Sequence, residues 1–202
     1  MYARKRCRLM VAFLSEMRIT IEPLRDAPMR TLGGEPMSVS DNAPLYAEYV
    51  QCVRDLTDTE IVRSMKDYIQ HGTCTVFAHS VYVSYLSFTI CKKKGLDYKS
   101  AARGALLHDF FLYDWHTNDP NRGLHGIAHP GIALKNATAH FDLNELEREI
   151  IGKHMWPLTI IPPKHRESFI VLAVDKYCAL KETFRCKEPD DVRRVQALLA
   201  AI

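Results

Sequence analysis

Three places in this chain put ionisable side chains where apolar ones belong. His79 shares a helical stripe with Val76, Val83, Leu86 and Ile90, the face that a helix buries. Asp175 has Val171, Leu172, Cys178 and Ala179 at i±3 and i±4. The pair His108-Asp109 interrupts the apolar run GALLHDFF, with Ala105, Leu106 and Leu112 around Asp109 at helical spacing. A buried carboxylate without a partner is costly or takes up a proton. Taken singly, each has an ordinary reading: a core histidine with a satisfied hydrogen bond, a carboxylate paired with a distant arginine, a His-Asp pair turned to water. Lys176 is a poor partner for Asp175, because side chains at i and i+1 point apart. Taken together, two carboxylates and two imidazoles facing inward from different helices ask for a cation. A divalent metal held by histidine nitrogen and carboxylate oxygen satisfies all four.

The elements that must position these groups are helices. LYAEYVQCVRDL (45–56) has a helical pattern, and Thr57-Asp-Thr-Glu predicts a capped helix over about 58–69 that His71-Gly72-Thr73 breaks. A long helix over about 73–93 ends in a cationic turn, Lys92 to Lys94, with Gly95 as its stop. Ser100 opens the next helix, AARGALLHD. Residues 114–124 are polar with Pro and Gly and read as a loop. Further helices are expected over about 127–139, 143–155 and 164–186, and from Pro189 to the end. Strand signals are weak. The expectation is an all-α bundle of about six to eight helices, with a single helical domain over 41–202.

Residues 1–40 read differently. They open with a basic stretch, and four prolines with a Gly-Gly lie between 20 and 44. This is a tail or linker, with Met37 as an alternative start. The apolar piece Leu9 to Leu14 is too short for a signal-peptide core, and no stretch is long enough to span a bilayer. Six cysteines without a Cys-x-x-Cys pair are the usage of a reducing compartment, which places the protein in the cytoplasm. The net charge of +3 gives no strong nucleic-acid signal.

The order His79, His108-Asp109, Asp175 resembles the H…HD…D signature of the HD-domain metal-dependent phosphohydrolases. The contexts GALLHDF and VLAVDKYCAL match as well, over about residues 70–185. The resemblance implies an HD-type helical domain and phosphoester hydrolysis by a metal-activated water. HPGIALKNA (129–137) and IIGKHMW (150–156) are similar to the later ligand segments of two-metal members. The implied ligands are then His79, His108, Asp109, His129, His154 and Asp175. They would hold two divalent ions (Mn, Fe, Ni, Mg or Zn), with Asp109 bridging and taking the catalytic role together with His108. Leu112, a single His154 preceded by Lys153, and MWPL depart from the cyclic-dinucleotide phosphodiesterase branch and speak against a third metal.

The implied substrate is a small phosphoester or a nucleotide, with Arg103, Arg122, Lys153 and Lys176 as candidate phosphate contacts. Homo-oligomerisation is left open. His125 rivals His129. His116, His140 and His165 read as loop or surface residues, His71 as a cap, and Lys92 to Lys94 as a solvated helix end. Two other functions use the same ligands: a di-iron oxygenase on the same fold, and a metal- or nucleotide-binding module without turnover.

Overall fold

The computed structural model describes residues 43–116, 125–183 and 190–200. The expectation for residues 1–40 lies outside this part. Among the described residues there are eight α-helices, one 3-10 turn and two very short strands, so the all-α bundle stands. In chain order the helices are α1 (Ala43–Thr57), α2 (Glu60–Arg63), α3 (Val76–Lys93), α4 (Tyr98–Leu106), α5 (His125–His140), α6 (Glu145–Lys153), α7 (Arg166–Thr183) and α8 (Asp190–Ala200). The strands β1 (Ile69–His71) and β2 (Cys74–Thr75) form an antiparallel hairpin before α3. No helix among the described residues is long and apolar enough to cross a membrane.

α3 is the axis of the bundle. It packs against α4, α7 and α8, and Val76, Phe77 and every residue from His79 to Cys91 are buried. The stripe read from the sequence is therefore too narrow, since a helix apolar nearly all round is an interior one. Ser84 and the capping Thr75 are paired locally. Ser84 Oγ donates to the Ala102 carbonyl of α4 (2.7 Å) and accepts from Tyr49 of α1 (2.9 Å). The Thr75 side chain caps the start by accepting from Ala78 N at 3.1 Å. The predicted stop is also present: Gly95 adopts φ +64, and Leu96 N donates back to Cys91 O.

Three boundaries differ from expectation. The helix expected over 58–69 is a single turn capped by Thr59, followed by a 3-10 turn (Ser64–Asp67) and β1. Met65 is buried there, so tertiary packing overrides the capping signal. α4 begins two residues before Ser100, because Asp97 caps it by accepting from Ser100 N. It also ends at Leu106, so His108 and Asp109 lie in the turn beyond it rather than on its face. His108 supplies the reason: its Nδ1–H donates to Ala105 O at 2.7 Å and takes a carbonyl that a continuing helix would use. Leu112 then takes φ 54, a left-handed conformation costing a non-glycine residue roughly 1–2 kcal/mol.

α6 is fixed against α4 and α7. A Cβ on Gly104 would stand 3.0 Å from the Ile150 side chain, so α4 and α6 approach closely there. Asn144 and Glu147 form a capping box at the start of α6. Glu149 Oε1 accepts from Lys164 N, His165 N, His165 Nδ1 and Ser168 Oγ at 2.8–3.0 Å at the start of α7. These donors hold its carboxyl down at about 2 against the effect of burial.

Candidate metal centre

All six expected ligands meet in one buried cluster. Asp109 is its hub, and its two oxygens face different ways. Oδ2 lies 3.3 Å from His108 Nε2 and 3.7 Å from His79 Nε2. Oδ1 lies 3.2 Å from His129 Nε2 and 3.6 Å from His154 Nε2. Asp175 Oδ1 completes the first group, 3.2 Å from His79 Nε2 and 3.6 Å from His108 Nε2. The cluster thus divides into a four-residue group (His79, His108, Asp109, Asp175) and a three-residue group (His129, His154, Asp109). Two compact triads within it have spacings suited to an ion: His79, His108 and Asp175, and His108, Asp109 and His154, the second of which joins the two groups through His108.

Three imidazoles are oriented by what their other nitrogen does. His108 Nδ1 donates to Ala105 O, and His154 Nδ1 donates to Ile151 O at 2.9 Å. Each histidine follows the end of its helix and caps the carbonyl three residues back. His79 Nδ1 donates to Glu182 Oε2 at 2.8 Å. With Nδ1 committed as a donor, the neutral ring presents the Nε2 lone pair to the centre, the tautomer a metal needs.

The electrostatics of the metal-free cluster follow from burial and crowding. Burial alone would lower the His79 imidazole, but the carboxylates of Glu182 and Asp175 hold it well above its ordinary value. His108 is pushed up to about 9 against burial by Asp109 and Asp175. Burial would raise both aspartates; His108 and His129 hold Asp109, and His108 and His79 hold Asp175, well below the usual carboxylate range. His154 is pushed down to about 3 by burial, reinforced by His108 and His129.

These residues fit a metal. His108 Nε2 and Asp109 Oδ1 are buried without a hydrogen-bond partner among the described residues, an arrangement that is unfavourable unless something satisfies them. His129 Nε2 and His154 Nε2 stand 2.8 Å apart, close to the ~3 Å between two nitrogens that bind one ion at right angles with ~2.0–2.1 Å bonds. A buried set of imidazole nitrogens and carboxylate oxygens is a donor set for divalent transition metals.

Of the candidate phosphate contacts among the described residues, only Lys176 reaches the cluster. Its Nζ lies 3.8 Å from Asp175 Oδ2 and donates to His154 O at 3.3 Å. Adjacent positions predict that Lys176 is a poor partner for Asp175; the Cβ atoms diverge, but the long stem folds back to a distant 3.8 Å contact. Arg103 is engaged elsewhere, with Nε on Glu147 (2.7 Å) and NH1 on Asp55 (2.6 Å). Lys153 donates to Glu149 Oε2 and Pro162 O. Both are ties within the scaffold. Arg122 and the side chains of His71 and His125 lie outside the described residues. His116 and His140 are exposed as expected, whereas His165 is half-buried on Glu149. Sequence reasoning missed Glu182 and Gln70, whose Nε2 donates to Asp109 Oδ2 at 2.6 Å. Glu182 had a signal, since it lies seven residues after Asp175 on the same helical face.

Compared with protein-family models, with curated proteins and with solved structures, the chain matches none.

Proposed function

We propose that this chain is a metal-dependent phosphohydrolase of the HD-domain type, acting on a small phosphoester or nucleotide. The observation that carries the reading is Asp109, whose two oxygens face two separate groups of imidazoles, the layout expected of a bridging carboxylate. Two divalent ions held there would supply Lewis-acid polarisation of a phosphoryl oxygen and a water of lowered pKa. The chain's own residues do the rest. His79, His108 and Asp175 would hold one ion, His129 and His154 the other, and Asp109 would contribute an oxygen to each. Lys176, about one-third exposed along its side chain, is placed to offset charge on the phosphoryl oxygens. Burial of the ligands keeps bulk water from competing with these contacts.

The test is a panel of nucleotides, phosphomonoesters and phosphodiesters incubated with the Mn²⁺-loaded protein, following release of phosphate or of the alcohol. Turnover of at least one compound class, lost in Asp109→Ala, is expected. No turnover by the Mn²⁺ form, with oxygen uptake by the iron-loaded protein, would replace this reading by the oxygenase. Bound metal with neither activity would leave a binding module.

A further inference from the structure

In the hairpin before α3, Ile69 pairs with Thr75 and His71 with Cys74, with a register shift between them. Gln70 is therefore the extra residue of a bulge. A bulge re-aims a side chain away from the strict alternation of the strand, and such irregularities recur beside active sites. Here the re-aimed side chain goes inward. Gln70 is only 7% exposed, and its Nε2 donates to Asp109 Oδ2 at 2.6 Å. The opposite amide orientation is excluded, because Oε1 would then face a carboxylate oxygen with no proton between two acceptors. In the orientation that remains, Oε1 is buried without a hydrogen-bond partner among the described residues. An amide retained for the scaffold would satisfy both of its ends. This one leaves its acceptor unpaired and serves the one carboxylate shared by both groups of ligands.

Resting on the metal reading above, we propose that Gln70 is a positioning residue of the metal centre. Its Nε2–H occupies one lone pair of Asp109 Oδ2 and sets the rotation of the carboxylate, so that the second lone pair faces His79, His108 and Asp175 while Oδ1 faces His129 and His154. A carboxylate oxygen has two acceptor sites, so holding Gln70 and facing an ion are compatible. Groups that orient a ligand from outside the coordination sphere typically change metal affinity or activity about 10–100-fold when removed.

The experiment compares wild type, Gln70→Met and Gln70→Leu by Mn²⁺ titration calorimetry and by electron paramagnetic resonance of the loaded proteins. Wild type is expected to bind two Mn²⁺ with an exchange-coupled spectrum, the signature of a shared bridging ligand. Gln70→Met keeps the length of the side chain and Gln70→Leu keeps a branched end; both lose the donor. In each, affinity should fall about 10–100-fold, and the coupling should weaken. A wild-type coupled spectrum in either variant would overturn the proposal. Should Gln70→Met fail to melt cooperatively, Gln70→Leu decides alone. Absence of Mn²⁺ binding by wild type would overturn the metal reading and this proposal together. Coupling that depends on Gln70 in a protein that hydrolyses nothing would support the positioning role and overturn only the proposed activity.

Discussion

His79 lies between the carboxylates of Asp175 and Glu182, whereas His129 and His154 face each other at 2.8 Å and share the single carboxylate oxygen Asp109 Oδ1, with a backbone carbonyl on His154 Nδ1. The two groups of ligands therefore wait for metal in different states. In the first, the carboxylates of Glu182, Asp175 and Asp109 favour the protonated form of the imidazoles of His79 and His108 when no metal is bound. In the second, His154 is kept neutral and already stands in its ligating form. An ion entering the first group must displace protons. An ion entering the second displaces none from His154 but finds less negative charge. The lesson is that equal ligand chemistry does not make equal sites, since the atoms behind the ligands decide what each site costs to fill.

The largest change should come from removing the residue the two groups share. In Asp109→Ala, metal-induced stabilisation, on the order of 3–4 kcal/mol at a hundred- to a thousandfold excess over Kd, should vanish. Melting curves with and without Mn²⁺ measure it, and equal shifts in wild type and variant would show that Asp109 does not bridge. His154→Gln should break the second group alone, lowering the content found by equilibrium dialysis from two ions per chain to one. Glu182→Gln should act on the first group alone. It keeps an acceptor for His79 Nδ1–H but removes the charge, and the affinity of that site should fall about 10-fold or more with the other unchanged; equal losses at both sites would erase the distinction.

The smallest and most diagnostic effect is on pH. His108, raised to about 9 from 6.5, binds more protons in the folded than in the unfolded chain. Its contribution to metal-free stability is full below pH 6.5 and lost as pH rises toward 9. His154, lowered to about 3 from 6.5, has the opposite sign. Its contribution is present above pH 6.5 and lost as pH falls toward 3. The metal-free protein should therefore melt lower on both sides of neutrality, and His154→Gln should flatten the acid limb between pH 6.5 and 4. An unchanged acid limb would mean that His154 is protonated when buried.

Much of the bundle could be read directly because its signals are local. Gly95 after three lysines ends α3, and GALLHDFF turns inward. His129 and His154 were visible only through resemblance to a family, since nothing in their own neighbourhoods distinguishes a ligand from a helix-end histidine. Hydrophobic spacing carries the helix on through Asp109, because an imidazole capping Ala105 O is not an event that such spacing records. Gln70 left no trace at all. Its role depends on a bulge between two strands of three and two residues, too short for any pattern of alternation to register. Arg103 looked like an anion contact until its partners Glu147 and Asp55, 44 and 48 residues away, were placed beside it.

The burial of α3 has a consequence on the clock of the molecule. A helix with no wet side cannot fray sideways, and its amides reach solvent only when the bundle around it opens as a whole. Deuterium should therefore enter the backbone around Val81 to Phe88 last, whether or not metal is present. His129 is in the second turn of α5 and His154 is the cap of α6, and these margins open in smaller fluctuations. Metal should slow exchange there far more than in α3. The protein would then carry one ligand, His79, on its most slowly exchanging element and two on faster ones, so that the rate at which an ion leaves is set by the breathing of α5 and α6.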